Sequence, residues 1–348
     1  MNFNQGSKQK LFFLVSGEHP TLPKAELRAI LESERISFKE LDGAPQVVRL
    51  LVDSGCVDAV VRRSAFVRVC CLELFTCPAD FDTILRCARE VDYGAFLRAG
   101  MSFAVRVRRV RGSCQQIDSL ELERRLGDAI PYKGVDLVRP DRLFFGVLSD
   151  NLFFFGLKLA EIRPGVFVER RPSRRPFFHP TSMPAKLARC MVNLTRPEPE
   201  NLIFDPFCGT GSLLLEAGLM GYQTIGADVQ KRMVLGARLN LTHYGVEPQA
   251  LIVSDALNSP VRRADRIATD PPYGRSATTL GLDVKRLVAD FLQECPEILP
   301  RKGYICLATP KSLEVRPLGE DAGLKHLESH FIYIHRGLTR EIAVFLRP

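Results

Sequence analysis

The chain is 348 residues long, 46% hydrophobic and 25% charged, with a formal net charge of +8 and a pI of about 9.0. No apolar run approaches the ~20 residues of a membrane-spanning helix, and at roughly 150 residues per domain two or three globular domains are expected. The basic balance points to a polyanionic partner, while the ten cysteines, with no Cys-x-x-Cys pair and none beside a histidine pair, argue against a disulfide framework or a metal site.

The chain opens on MNFNQGSKQKLFFLVSGEHP, whose short apolar core is closed by Gly17, Glu18 and His19 and does not fit a signal peptide. Residues 11–16 read as a strand, and 22–34 carry helical spacing at Leu27, Ile30 and Leu31. Strands are expected at 36–40, 46–52 and 66–75, with a helix at 56–64, making a small α+β unit with antiparallel pairing. Cys70 and Cys71 lie in the apolar run FVRVCCLELF, where a free thiol behaves as a small hydrophobe. That usage suits a reducing compartment, and a cytoplasmic protein with no membrane partner and no metal is expected.

DFDTILRCAREVDY is a second helical pattern, and SFAVRVRRVRG alternates as a strand with one apolar and one largely arginine face. A helix follows at 118–130, then two apolar strands, RLFFGVLS and NLFFFGLKL, turned by Asp150 and Asn151. The interval 161–177, rich in Arg and Pro, reads as a linker. From about 178 the rhythm becomes that of a mostly parallel α/β sheet: a helix in MPAKLARCMVNLTR, then NLIFD, SLLLEAGLMG, QTIGAD, QKRMVLGARLNLTHYG, ALIVSD, RIATD, VKRLVADFLQECPEIL and GYICLAT. FIYIHR and EIAVFLR close the chain as an antiparallel edge hairpin.

Four features of this second half carry chemistry. In FDPFCGTGSLLLEAG a strand ends at Asp205, and Gly209 and Gly211 let the backbone approach a ligand at the strand ends. The third glycine of a dinucleotide pattern is absent at Leu214, and an ordinary tight turn is the competing reading. Asp228 ends the next strand, where an acid accepts from ribose hydroxyls. Asp255 of IVSDAL is placed to face an adenine amino group, and Asp270 ends the fourth strand. Singly, each acid is as readily a helix cap or turn former; four in succession at one sheet edge point to a site. In TDPPYGR, Pro271 and Pro272 fix φ and lack N–H groups. The loop is therefore a stiff set of acceptors beside the flat ring of Tyr273, suited to a planar ligand bearing an amino group, unless it is a surface turn.

This series resembles the class I, Rossmann-like S-adenosylmethionine-dependent methyltransferases, and DPPY resembles their exocyclic-amine motif. In the first half, SFAVRVRRVRG, LERRLGDAI and VDLVRPDRLFFGVLSDNLFFFG resemble a THUMP domain, and SGEHPTLPKAEL the start of the ferredoxin-like domain that precedes one. RRPSRRPFFHPTSMPAKLARCMVNL and IHRGLTREIAVF are similar to stretches of the archaeal-type tRNA guanine N2-methyltransferases acting on guanosine 10, although TSMPAKLAR is less basic than is usual there.

The resemblance implies an α+β ferredoxin-like domain (1–68), a THUMP domain (69–160), a linker (161–177) and a Rossmann-like α/β methyltransferase domain (178–348). It implies S-adenosylmethionine as cofactor, held by Thr181, Asp205, Cys208, Gly209, Thr210, Gly211, Asp228, Asp255 and Ala256, with His179 framing the pocket. Asp270 and the Pro271 carbonyl would accept the N–H groups of a guanine amine, with Pro272 stiffening the loop and Tyr273 stacking on the base. The tRNA partner would meet Arg106, Arg108, Arg109 and Arg111, and Arg170, Arg171, Arg174 and Arg175, although a solvated strand face and a basic linker are the alternatives for these two groups. A guanine at another tRNA position, ribosomal RNA, an inactive tRNA-binding module, the number of methyls and a small activating subunit all remain open at this point.

Overall fold

The computed structural model describes residues 8–273 and 283–348. The chain packs as two compact units, the first built from residues up to 24, 35–61 and 67–163, the second from 25–34, 62–66 and 164–348.

In chain order the N-terminal elements are β1 (Lys8–Val15), α1 (Leu22–Ser33), β2 (Lys39–Ala44), β3 (Val47–Asp53), α2 (Cys56–Arg63), β4 (Val67–Pro78), α3 (Phe81–Arg89), β5 (Phe103–Arg109), α4 (Ser119–Ala129), β6 (Arg142–Ser149) and β7 (Leu152–Glu161). All seven strands form one sheet in the order β2-β3-β1-β4-β7-β6-β5. Every neighbouring pair is antiparallel except β5 and β6, which run parallel and are joined through α4. β4 pairs with β1 on one side and β7 on the other, so the strands expected in the ferredoxin-like and THUMP segments share one sheet. Phe12, Val69, Cys71, Phe145, Val147 and Phe154 form a core cluster on it. The β6–β7 turn has both Asp150 (φ 49) and Asn151 (φ 59) in the left-handed region, as a two-residue hairpin turn requires.

The remaining elements are α5 (Gly165–Glu169), α6 (Ala185–Leu194), β8 (Leu202–Asp205), α7 (Ser212–Leu219), β9 (Gln223–Asp228), α8 (Lys231–His243), β10 (Ala250–Val253), β11 (Arg266–Thr269), α9 (Val284–Ile298), β12 (Tyr304–Pro310), α10 (Val315–Asp321), β13 (Lys325–His335) and β14 (Leu338–Leu346). Their sheet runs β10-β9-β8-β11-β12-β14-β13, with five parallel strands and the antiparallel β13–β14 hairpin at one edge. The strand order reverses between β8 and β11, the place where open α/β sheets bind ligands. β11 is buried along its whole length, as a central parallel strand covered on both faces must be.

The interval 161–177 is ordered rather than a bare connection. It holds α5 and a 3₁₀ turn at Pro172–Arg174, and from Pro164 it belongs to the second unit. Its order comes from partners distant in sequence. Glu216 of α7, fully buried, accepts from Arg170 Nε at 2.8 Å and from Arg189 Nε of α6 at 2.8 Å. Asn240 of α8 accepts the Phe177 amide at 2.9 Å and donates to the Phe177 and Thr210 carbonyls at 3.0 and 2.9 Å.

Residues 25–34 and 62–66 are fastened into the second unit by a second buried acid. Glu26, fully buried, accepts from Ser64 Oγ at 2.7 Å, the Ala65 amide at 2.9 Å, the Phe66 amide at 3.0 Å and Asn193 Nδ2 at 3.0 Å. Burial raises its pKa and these donors oppose the rise.

Candidate active site

The parallel strands β8, β9, β10 and β11 end on the same edge of their sheet, and each is followed by or ends on one of the four acids. Asp205 closes β8 and is 1% exposed. It accepts from Thr269 Oγ1 at 2.7 Å and from the Phe207 amide at 3.2 Å. Burial pushes its carboxyl up to about 8, with the charges of Asp270 and Asp228 adding to the rise and the two hydrogen bonds opposing it.

The turn after Asp205 is tied to the next strand. The Cys208 amide donates to the Ala227 carbonyl at 2.8 Å, and the Gly209 amide to the Asp228 carboxylate at 2.9 Å. Burial pushes the Cys208 thiol well above its usual range, so it stays a neutral thiol. Gly211 (φ 78) starts α7 in the left-handed region, and a Cβ there would lie 3.2 Å from Ala237, so the position favours glycine on both counts. Thr210 Oγ1 donates to Ser182 Oγ at 3.0 Å, bringing the 179–182 turn against this loop. Within that turn, Thr181 Oγ1 lies 2.8 Å from His179 Nδ1.

Asp228, half-buried, accepts from the Gly209 and Gln230 amides at 2.9 and 2.8 Å. Burial raises its pKa while these two amides oppose the rise. Asp255 stands two residues past β10, exposed, and caps the 3₁₀ turn at Ala256–Asn258 by accepting the Leu257 amide at 3.0 Å. This bond is that of a turn former and leaves the second carboxylate oxygen for a ligand, and Ala256 is buried.

Asp270 follows β11, with its side chain 17% exposed. The Tyr273 hydroxyl donates to its Oδ1, and Arg340 Nη2 of β14 lies 3.8 Å from its Oδ2. The Arg340 guanidinium also sits over the Tyr273 ring, 5.3 Å from its centroid. Burial raises the pKa of Asp270, and Arg340 and the Tyr273 hydroxyl draw it down. Burial, then the Asp270 charge, pushes the Tyr273 phenol far above its usual value, so it is a donor throughout the physiological range.

The residues that the sequence reading missed are Arg340, Thr269 and Asn240. Thr269 stands directly before Asp270, and Arg340 falls inside IHRGLTREIAVF, one of the stretches that carry the resemblance.

The arginines divide. Arg106 donates to the Leu137 carbonyl at 2.8 Å and lies 3.7 Å from Glu123, and Arg109 donates to the Cys114 carbonyl at 2.8 Å and to that of Ile117. Arg108 and Arg111 are exposed. In the second group Arg170 pairs with Glu216, and Arg175, 5% exposed, donates to Ser212 Oγ at 2.6 Å, while Arg171 and Arg174 are exposed. Among the described residues no group of three or more His, Cys, Asp or Glu side chains is placed to hold a metal ion, and no helix is long and apolar enough to cross a membrane.

Residues 172–340 match the RMKL-like methyltransferase domain family, and residues 78–154 match the THUMP domain family. The chain is 39% identical to the tRNA (guanine(10)-N2)-dimethyltransferase of Methanothermobacter thermautotrophicus, over 97% of this chain and 99% of that protein. It is 32% identical to the protein of the same name from Methanocaldococcus jannaschii, over 96% and 98% of the two chains. The crystal structure of TrmN from Thermus thermophilus has the same fold, with a TM-score of 0.55 at 22% identity over 98% of this chain and 100% of that one. With full-length identity at that level and both domain families in place, the chain belongs to the tRNA (guanine(10)-N2)-dimethyltransferase family.

Proposed function

We propose that this enzyme methylates the exocyclic N2 of guanosine 10 in tRNA, using S-adenosylmethionine. The observation that carries the reading is the carboxylate of Asp270, set at the reversal of the strand order on the same sheet edge as the Asp205–Gly211 turn. The donor set fits the cofactor. Asp228 keeps acceptor capacity after its two amide bonds and suits a ribose diol. A Cβ at Gly209 would meet nothing closer than 3.9 Å, so the backbone there is open to a ligand. In our reading Thr181, Asp205, Cys208, Thr210, Gly211, Asp255 and Ala256 complete the pocket. Bound there, the cofactor supplies an electrophilic methyl on a sulfonium.

The chain's part is to make a poor nucleophile react. The guanine amine has its lone pair delocalised into the ring. Asp270 and the Pro271 carbonyl accept its two N–H groups and draw the nitrogen towards tetrahedral geometry, with the gain in positioning and in opposing the developing positive charge. Tyr273 leaves the Asp270 carboxylate when the amine arrives and stacks on the base. The cofactor would give up its methyl to the nitrogen and leave as the thioether, and the amine proton would pass to Asp270 or water. After one transfer a single N–H remains, still enough for one acceptor to hold, which supports two successive rounds of the kind the relatives' names describe.

The base must leave its stack to reach this loop. The exposed Arg108, Arg111, Arg171 and Arg174 are the arginines best suited to phosphate contacts. A cytoplasmic setting fits the ten free cysteines. Incubating total tRNA with labelled cofactor and mapping the modified nucleoside tests the reading; label on a guanosine other than 10, or on none, overturns it.

A further inference from the structure

We propose that Arg340 is a positioning residue for methyl transfer, holding the Asp270 carboxylate charged for the incoming amine. The inference rests on the reading of Asp270 as the acceptor of the guanine amine.

Three observations converge on it. Arg340 stands on β14 opposite Pro310 of β12 and Ile332 of β13, so two flanking strands fix its backbone. Its side chain is only 12% exposed, with Nη2 3.8 Å from Asp270 Oδ2 and the guanidinium 5.3 Å from the Tyr273 ring centre. Its Nε is buried without a hydrogen-bond partner among the described residues. A guanidinium kept from water with one N–H unsatisfied is costly for stability alone. Its placement makes sense if its charge serves the carboxylate beside it.

The contact length is part of the argument. A tight bidentate clamp would occupy the carboxylate's lone pairs. At 3.8 Å the cation acts mainly through its field and leaves Oδ2 free to accept from a substrate amine. The other groups facing Asp270 among the described residues are Tyr273, from its own loop, and Asp205, from β8. Tyr273 leaves when it stacks on the base. Asp205, pushed up to about 8, adds little negative charge near neutral pH. Among the described residues Arg340 is then the group that keeps Asp270 ionised during the reaction, against the burial that favours its neutral form.

The test is the pH profile of single-turnover methyl transfer to a tRNA transcript, with cofactor affinity and Tm measured alongside. Arg340→Gln should move the acid limb up by about one pH unit, a roughly tenfold loss at the acidic end, with much of the rate recovered at alkaline pH. Arg340→Lys keeps the charge and should leave the limb in place with a lower plateau. A folded Arg340→Gln enzyme with the wild-type limb overturns the proposal, as does an equal shift in both variants. If the Gln variant does not fold, Arg340→Met reads the same limb: a rise of about one pH unit supports the role, and an unmoved limb overturns it. Asp270→Ala in the same assay separates the two levels. A wild-type rate there sinks the site reading itself, whereas an inactive Asp270→Ala beside an unshifted Arg340→Gln sinks only the role of Arg340.

Discussion

The carboxylate of Asp228 accepts the amide of Gly209 at 2.9 Å, so the acid that closes one strand holds the turn that follows its neighbour. Asp228→Ala should therefore weaken S-adenosylmethionine binding by ~1–3 kcal/mol, the cost of a lost charged hydrogen bond. Asp228→Asn keeps an acceptor for Gly209 and should lose less. Calorimetry on the full chain checks both, and unchanged affinity in the Ala variant rules out the ribose contact.

At the proposed amine-binding loop, Asp270→Ala should abolish methyl transfer while cofactor and tRNA affinities stay nearly intact, because on this reading the contact with the amine forms fully only as the nitrogen changes geometry. Asp270→Asn should retain partial activity through its amide oxygen. Tyr273→Ala should lose ~1–3 kcal/mol of stacking. Tyr273→Phe keeps the ring and removes the hydroxyl that occupies Asp270, so its rate should stay within a few-fold of wild type. Single-turnover rates with parallel binding measurements separate these outcomes.

Asp205 predicts a stability difference that depends on pH. Its carboxyl is held at about 8 in the fold, against ~3.9 in an unfolded chain. A raised acid contributes stability that is complete below the unfolded value and is lost as pH climbs towards the folded one. Asp205→Asn still accepts from Thr269 and lacks this titration. Without added cofactor, its Tm should exceed that of wild type by a margin that widens from about pH 5 to about pH 8 and reaches several degrees, given roughly 2–4 °C per kcal/mol for units of this size. A constant margin would mean that Asp205 is ionised throughout.

The strand arginines should split into two classes. Arg108→Glu with Arg111→Glu should weaken tRNA binding and flatten its salt dependence with little change in Tm. Arg109→Glu removes donors from the Cys114 and Ile117 carbonyls and should cost ~1–3 kcal/mol of stability instead. Filter binding across a salt series, beside thermal melts, reads both; tRNA affinity untouched by the first pair makes Arg108 and Arg111 plain solvated surface.

Glu216→Ala should lower stability by ~3–5 kcal/mol, since it leaves Arg170 and Arg189 as uncompensated buried charges. Denaturant unfolding measures it. A loss below about 1 kcal/mol would show that water reaches the two guanidinium groups.

Much of this site is legible in the sequence because its parts are local. A short apolar run closed by an acid marks the strand ends at Asp205, Asp228 and Asp270, and the glycines mark the turn between them. What is hidden depends on sheet pairing and on partners far along the chain. Arg340 reaches Asp270 only because β14 lies against β12, a pairing that no local pattern specifies. The stretch 161–177 looks like a tether because its composition is Arg and Pro, and its order lies in Glu216 and Asn240. The shared N-terminal sheet is hidden for the same reason: β4 reads as one strand, and nothing in it announces two different neighbours.

The buried Glu26 has a consequence for the order of synthesis. The ribosome delivers Glu26 and its amide donors early, yet Asn193, which completes the shell, follows 167 positions later. Residues 25–34 and 62–66 must therefore wait, already made, for the polypeptide that encloses them. A fragment begun in the 160s lacks those two segments, so Asn193 loses both Glu26 and the Arg63 carbonyl as acceptors. Grafting this methyltransferase half onto another RNA-binding module would need the two early segments carried along, supplied in trans or re-threaded by circular permutation.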